Sequence, residues 1–130
     1  MNTFSVLMRI CGLTPHDVGH MLKIPPRIVL RWEKGVGDPS PDAVAALGAL
    51  QARQQNVADA IINSWDEAGR PDALSIAVAR DDDAARAMGW PSLAAQVAPA
   101  AIAQAVLGPI RIELDQGLAG VVDTAAIAAE

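Results

Sequence analysis

Aromatic side chains are scarce in this 130-residue chain, which has three Trp, one Phe and no Tyr. Its apolar fraction of 52% is ample for a buried core, but that core must be built mainly from Ala, Val, Ile and Leu, a composition that favours closely packed helices. Cysteine is nearly absent as well. The single Cys11 excludes an internal disulfide and leaves no cysteine pair for a structural zinc, so a reducing cytosol is the expected environment. There are only two histidines. His16 and His20 stand at i and i+4, a spacing that can hold zinc, but no third histidine exists and the intervening Asp17 is better explained as a helix-capping acid. No phosphate-binding glycine loop, serine nucleophile elbow or paired-carboxylate arrangement is present, and Cys11 has no histidine partner in any catalytic motif. Neither enzymatic activity nor a cofactor is therefore expected.

Positive charge is also in the minority, with ten Lys and Arg against fifteen Asp and Glu, a net of −5. The imbalance is not uniform. Residues 1–54 hold six basic residues against four acidic ones, whereas residues 55–130 hold four against eleven. Phosphate would repel the acidic rear half, so only the front half is suited to face nucleic acid. Met1 to Gly12 lack the charged, apolar and small-residue succession of a secretory signal. Ala87 to Ile110 carry no charge over 24 residues, yet three prolines and two glutamines interrupt a mostly alanine stretch, so no membrane span is expected there.

What is present along the chain is helix punctuation. Phe4, Leu7, Met8 and Cys11 recur at helical spacing after a cap at Asn2 or Thr3, and Gly12 stops this first helix. Thr14, Pro15 and Asp17 form a capping signal for a second helix ending near Leu22. Lys23, Ile24 and Pro25 form a turn, and a third helix runs from Pro26 to a stop at Gly35. Ser40, Pro41 and Asp42 open a fourth, predicted to reach Ser64 or Trp65. The charged, Gly- and Pro-containing residues 66–72 read as a linker between a domain at 1–65 and another at 73–130. Beyond it the pattern predicts a strand over Leu74–Ala79, a short helix over Asp81–Met88 and a longer one over Ser92–Leu107. The acids Asp81, Asp82 and Asp83 act as a helix cap and complement its dipole rather than bind a cation. A half-exposed strand is expected at Ile110–Leu114, followed by a helical or disordered end from Leu118 to Glu130. The fold class is thus mainly α: a helix-turn-helix bundle of four to five helices, then a small α+β region for dimerisation.

The run LTPHDVGHMLKIPPRIVLRWEKG, Leu13 to Gly35, carries the functional signal. Leu13, Thr14, Gly19, Trp32, Glu33 and Gly35 occupy positions at which the run resembles the phage-repressor-like, or xenobiotic-response-element, helix-turn-helix family. The resemblance implies a DNA-binding domain whose third helix enters the major groove. Independently, Val18, Met21 and Leu22 can meet Val29 and Trp32 inside. Arg27, Leu30, Arg31 and Lys34, at offsets of three, four and seven, then share the opposite face. Arg27 and Arg31 are candidates for bidentate contact with guanine, and Leu30 for a thymine methyl. Thr14, His16, Lys23, Lys34 and Gly35 are candidates for phosphate contact, with the backbone amides of Gly35 to Gly37 contributing. Three departures from the family pattern stand out. Lys23 sits where a glycine commonly takes a left-handed turn conformation. Pro15 and Pro26 replace polar side chains that contact DNA. Arg9 lies one residue from where an arginine commonly pairs with Glu33, which argues against that ion pair.

The segment IAVARDDDAARAMGWPSLAAQVAPAAIAQAV resembles the C-terminal part of small autorepressors associated with anti-CRISPR operons, which implies a dimer-forming half. Its apolar helix and strand also exceed what about 60 residues easily bury alone. The expected function is a cytoplasmic, homodimeric transcriptional regulator, more specifically a repressor on double-stranded DNA. The alternative is an antitoxin-type protein whose rear half binds a protein partner while its front half regulates the operon. A ligand sensor is a third possibility, for which no cluster of polar and aromatic pocket residues can be identified in the sequence.

Overall fold

A computed structural model describes residues 2–116. The predicted element over Leu118–Glu130 lies outside these described residues. The order is α1 (Thr3–Ile10), α2 (Pro15–Leu22), α3 (Pro26–Glu33), α4 (Pro41–Glu67), β1 (Ala73–Val78), α5 (Asp82–Ala87), α6 (Leu93–Leu107) and β2 (Arg111–Gln116). The molecule is mainly helical, with one small parallel sheet close to its C-terminal end.

Local capping chemistry sets most of these boundaries. Asn2 rather than Thr3 caps α1, accepting the Ser5 amide while the Ser5 side chain answers the Asn2 amide. Ser40 caps α4, Asp81 caps α5 and Ser92 caps α6, each by a side-chain oxygen accepting an amide three residues on. The acidic run at 81–83 thus serves as a cap and as the acidic first turn of α5. α4 continues past the predicted stop to Glu67, where the Trp65 indole N–H donates to the Pro71 carbonyl at 2.8 Å and folds the chain back. Residues 66–72, read as a linker, are held by this bond and by the Arg70–Asp66 pair at 2.7 Å.

β1 and β2 pair in parallel from Ala73↔Arg111 to Val78↔Gln116, with α5 and α6 forming the crossover that parallel strands require. β1 ends before Ala79, because the Ala79 amide donates to Gln96 Oε1 at 2.8 Å instead of continuing the ladder. β2 starts one residue later than predicted and runs two further, its length being matched to β1.

The segments on either side of 66–72 share one continuous core, which joins Phe4, Met8, Cys11, Val18, Val29 and Leu47 to Val57, Ile76, Val78, Trp90, Ala95 and Ala103. Leu50, Gln54, Val57 and Ile61 recur along α4 as a buried stripe at helical spacing. In the middle of that stripe Gln54 Nε2 donates to the Cys11 carbonyl at 2.9 Å and to the Ala95 carbonyl at 3.0 Å. Pro99 explains the second bond. It sits inside α6 and has no N–H to donate to the carbonyl four residues earlier, which is that of Ala95. Gly12, at φ +76°, brings the chain so close to α6 that a Cβ there would meet the Ala94 backbone at 2.9 Å. Among the described residues no helix is long and apolar enough to cross a membrane.

Candidate nucleic-acid interface

α2 and α3 are joined by the tight turn Lys23 to Pro25. Thr14 and Asp17 form the reciprocal capping box expected from sequence: the Asp17 amide donates to Thr14 Oγ1 at 3.2 Å, and the Thr14 amide to Asp17 Oδ2 at 2.9 Å. Lys23 takes the left-handed conformation, φ 58° and ψ 44°, that glycine would adopt without strain. Gly19 explains why this turn can be so close. A Cβ at Gly19 would lie 2.8 Å from the Ile24 carbonyl oxygen and 3.3 Å from the Pro26 ring, so the mid-helix position accepts no side chain while the turn stays as it is.

The inner side of the pair is apolar. Val18 and Val29 are fully buried, with Met21, Leu22 and Trp32 packed against them at partial exposure. Trp32 meets Phe4 edge to face, with ring centroids 5.7 Å apart and planes at 90°, and its carbonyl accepts the Asn2 side-chain amide at 2.7 Å. These contacts fix α3 against α1 and set the direction of its outer face.

That outer face carries Arg27, Leu30, Arg31 and Lys34, all four exposed, with Leu30 at 42%. Among the described residues, no carboxylate lies within 4 Å of Arg27, Arg31, Lys34 or the turn residue Lys23. Glu33, the acid on α3, turns away to Arg9, pairing at 3.0 Å. This corrects the expectation that Arg9, one residue out of place, would not form that pair: its long exposed side chain spans the offset. At such exposure the bond contributes well under about 1 kcal/mol, but it removes a negative charge from the cationic face.

The phosphate candidates divide. Thr14 and His16 are exposed at the start of α2. Pro15 has no amide hydrogen, and the Asp17 and Val18 amides bond to Thr14, which leaves the His16 amide as the first-turn donor without an internal acceptor. Asp17 also places a carboxylate at that helix end, where it faces Arg86 of α5 at 3.7 Å. Gly35 requires a correction. Its amide already donates to the Trp32 carbonyl at 3.0 Å, and the Val36 amide to the Arg31 carbonyl at 2.8 Å, because these bonds close the end of α3. Gly35, at φ +79°, serves the turn, and the Lys34 side chain remains as the cation at that end.

His16 and His20 are both exposed, and among the described residues no cluster of three or more His, Cys, Asp or Glu side chains is placed to hold a metal ion. Sequence reasoning missed that Arg86 reaches α2 and that Arg53 of α4 stacks on Trp90, at 3.7 Å from guanidinium carbon to ring centroid. Neither contact has a local signature, since each joins residues more than 30 positions apart. Comparison with protein-family models, curated proteins and solved structures finds no match for this chain.

Proposed function

We propose that this chain is a sequence-specific DNA-binding transcriptional regulator, acting as a homodimeric repressor in the cytoplasm, with α3 lying in the major groove. The observation that carries the reading is the outer face of α3, where Arg27, Arg31 and Lys34 surround an exposed Leu30 with no carboxylate of the described residues within 4 Å of these cations. A solvated structural face would gain from neighbouring acids, whereas a groove-binding face has to keep its cations available for guanine edges and phosphates. The four-helix setting fits this use, because the Trp32–Phe4 contact and the close approach at Gly19 hold α3 rigidly behind that face. Arg27 and Arg31 read bases, Leu30 packs on a thymine methyl, and Lys23, Lys34, Thr14 and His16 track the phosphates.

Dimerisation is supported by the rear half. Its sheet has only two strands among the described residues, so each keeps an unpaired edge, and Val106 at 66% and Leu114 at 43% exposure stand nearby on α6 and β2. Two recognition helices related by a two-fold axis would contact half-sites about one helical turn apart. The test is selection of a binding site from random duplexes with the full chain, followed by anisotropy titrations. Arg27→Ala and Arg31→Ala should each weaken the selected site by about 5- to 150-fold and relax preference at one base pair. Equal loss on selected and random DNA would refute base reading, and a monomer in light scattering would refute the dimer.

A further inference from the structure

A second site lies behind the α2–α3 pair, in a groove of about 490 Å³ whose walls come from three parts of the chain. His20 and Met21 belong to α2, Leu50 and Arg53 to α4, and Arg86 and Trp90 to α5 and the turn before α6. The size lies in the range of small-molecule sites, and the walls combine an apolar floor with few polar groups.

The charges in this groove are unbalanced. No carboxylate among the described residues lines it. Arg86 is compensated by Asp83 at 3.1 Å and Asp17 at 3.7 Å. Arg53 is not: no carboxylate among the described residues lies within 4 Å of it. Its Nη1 donates to the Gly89 carbonyl at 2.6 Å, and its Nε and Nη2 donors meet no acceptor among the described residues. The guanidinium thus lies over the Trp90 ring and is tied to Gly89. Partial burial lowers the Arg53 pKa from its ordinary value. Beneath the guanidinium the Trp90 side chain is buried, its indole Nε1–H without an acceptor among the described residues.

A guanidinium held by a stacking contact and one hydrogen bond, with donors to spare next to an apolar floor, is suited to a planar oxyanion. We infer that this groove binds a small molecule with an oxyanion head and an apolar body, the head on Arg53 and the body over Met21 and Leu50. The inference is independent of whether α3 binds DNA. Because the walls come from both α2 and the turn before α6, the occupant bridges the front and rear parts of the fold.

The experiment is a titration of the full chain, followed by the indole N–H resonances of Trp32, Trp65 and Trp90. Benzoate and phenyl phosphate serve as carboxylate and phosphate probes, with benzamide as the uncharged control. The Trp90 resonance should shift saturably with at least one anion, at a dissociation constant of about 1 mM or tighter, while Trp65 stays still and benzamide at equal concentration does little. Arg53→Met, which keeps an apolar chain over Trp90, should weaken the anion at least about tenfold, and Arg53→Lys should weaken it less. The wild-type comparison of benzoate with benzamide stands even if either variant folds poorly. No saturable shift with either anion, an equal response to benzamide, or unchanged affinity in a folded Arg53→Met variant would overturn the inference.

Discussion

Replacing Gln54 by leucine nearly conserves side-chain volume but removes both donors that join α4 to the end of α1 and to α6. The Cys11 and Ala95 carbonyls then face a buried site without a hydrogen, and each unsatisfied acceptor costs about 1–3 kcal/mol. An apolar side chain in the same place regains about 1–2 kcal/mol from burial, so the net loss is about 1–4 kcal/mol. That is a large share of the roughly 5–15 kcal/mol that holds a domain of this size together. Urea unfolding followed by far-ultraviolet circular dichroism measures it directly. Pro99 supplies the internal control. In Pro99→Ala, residue 99 gains an amide able to donate to the Ala95 carbonyl, so this change should help the Gln54→Leu protein more than the wild type by about 0.5–1.5 kcal/mol. A Gln54→Leu protein within about 0.5 kcal/mol of wild type, or a double-mutant cycle with no coupling, would refute the assignment of Gln54 as the donor compensating for Pro99.

Lys23→Gly relieves the left-handed turn and should raise stability by about 0.5–1 kcal/mol; if Lys23 also meets phosphate, the salt slope of DNA binding falls by about one unit, both readable from melting curves and salt titrations. Gly19→Ala forces a methyl against the Ile24 carbonyl and should cost about 1–3 kcal/mol, detected as a lowered melting temperature. Cys11 is fully buried, with its thiol pKa pushed up by desolvation, so the thiolate is disfavoured and inaccessible. Labelling by iodoacetamide at pH 8 should therefore proceed only as fast as the chain opens, and rapid labelling of the folded protein would show that Cys11 reaches solvent.

What the sequence determined by itself was local. Thr14 with Asp17, Ser40, Asp81 and Ser92 announce their helices because a cap needs only an amide two or three residues away. The offsets of Arg27, Leu30, Arg31 and Lys34 place them on one face because helical periodicity is a property of the helix alone. Lys23 is the C-cap of α2 and takes the left-handed conformation there, since the turn between α2 and α3 is equally short-range. The tertiary structure decided everything that joins distant residues. β1 and β2 pair across almost forty positions, and their shared length follows from that pairing rather than from the alternation in either strand. The Arg9–Glu33 pair depends on where α1 lies against α3. A pocket cluster could not be found in the sequence, because Arg53 and Trp90 reveal nothing of one another until α4 packs beside the turn before α6. The partnership of Gln54 and Pro99 is of the same kind: a missing amide in one helix acquires meaning only when another helix brings a donor to it.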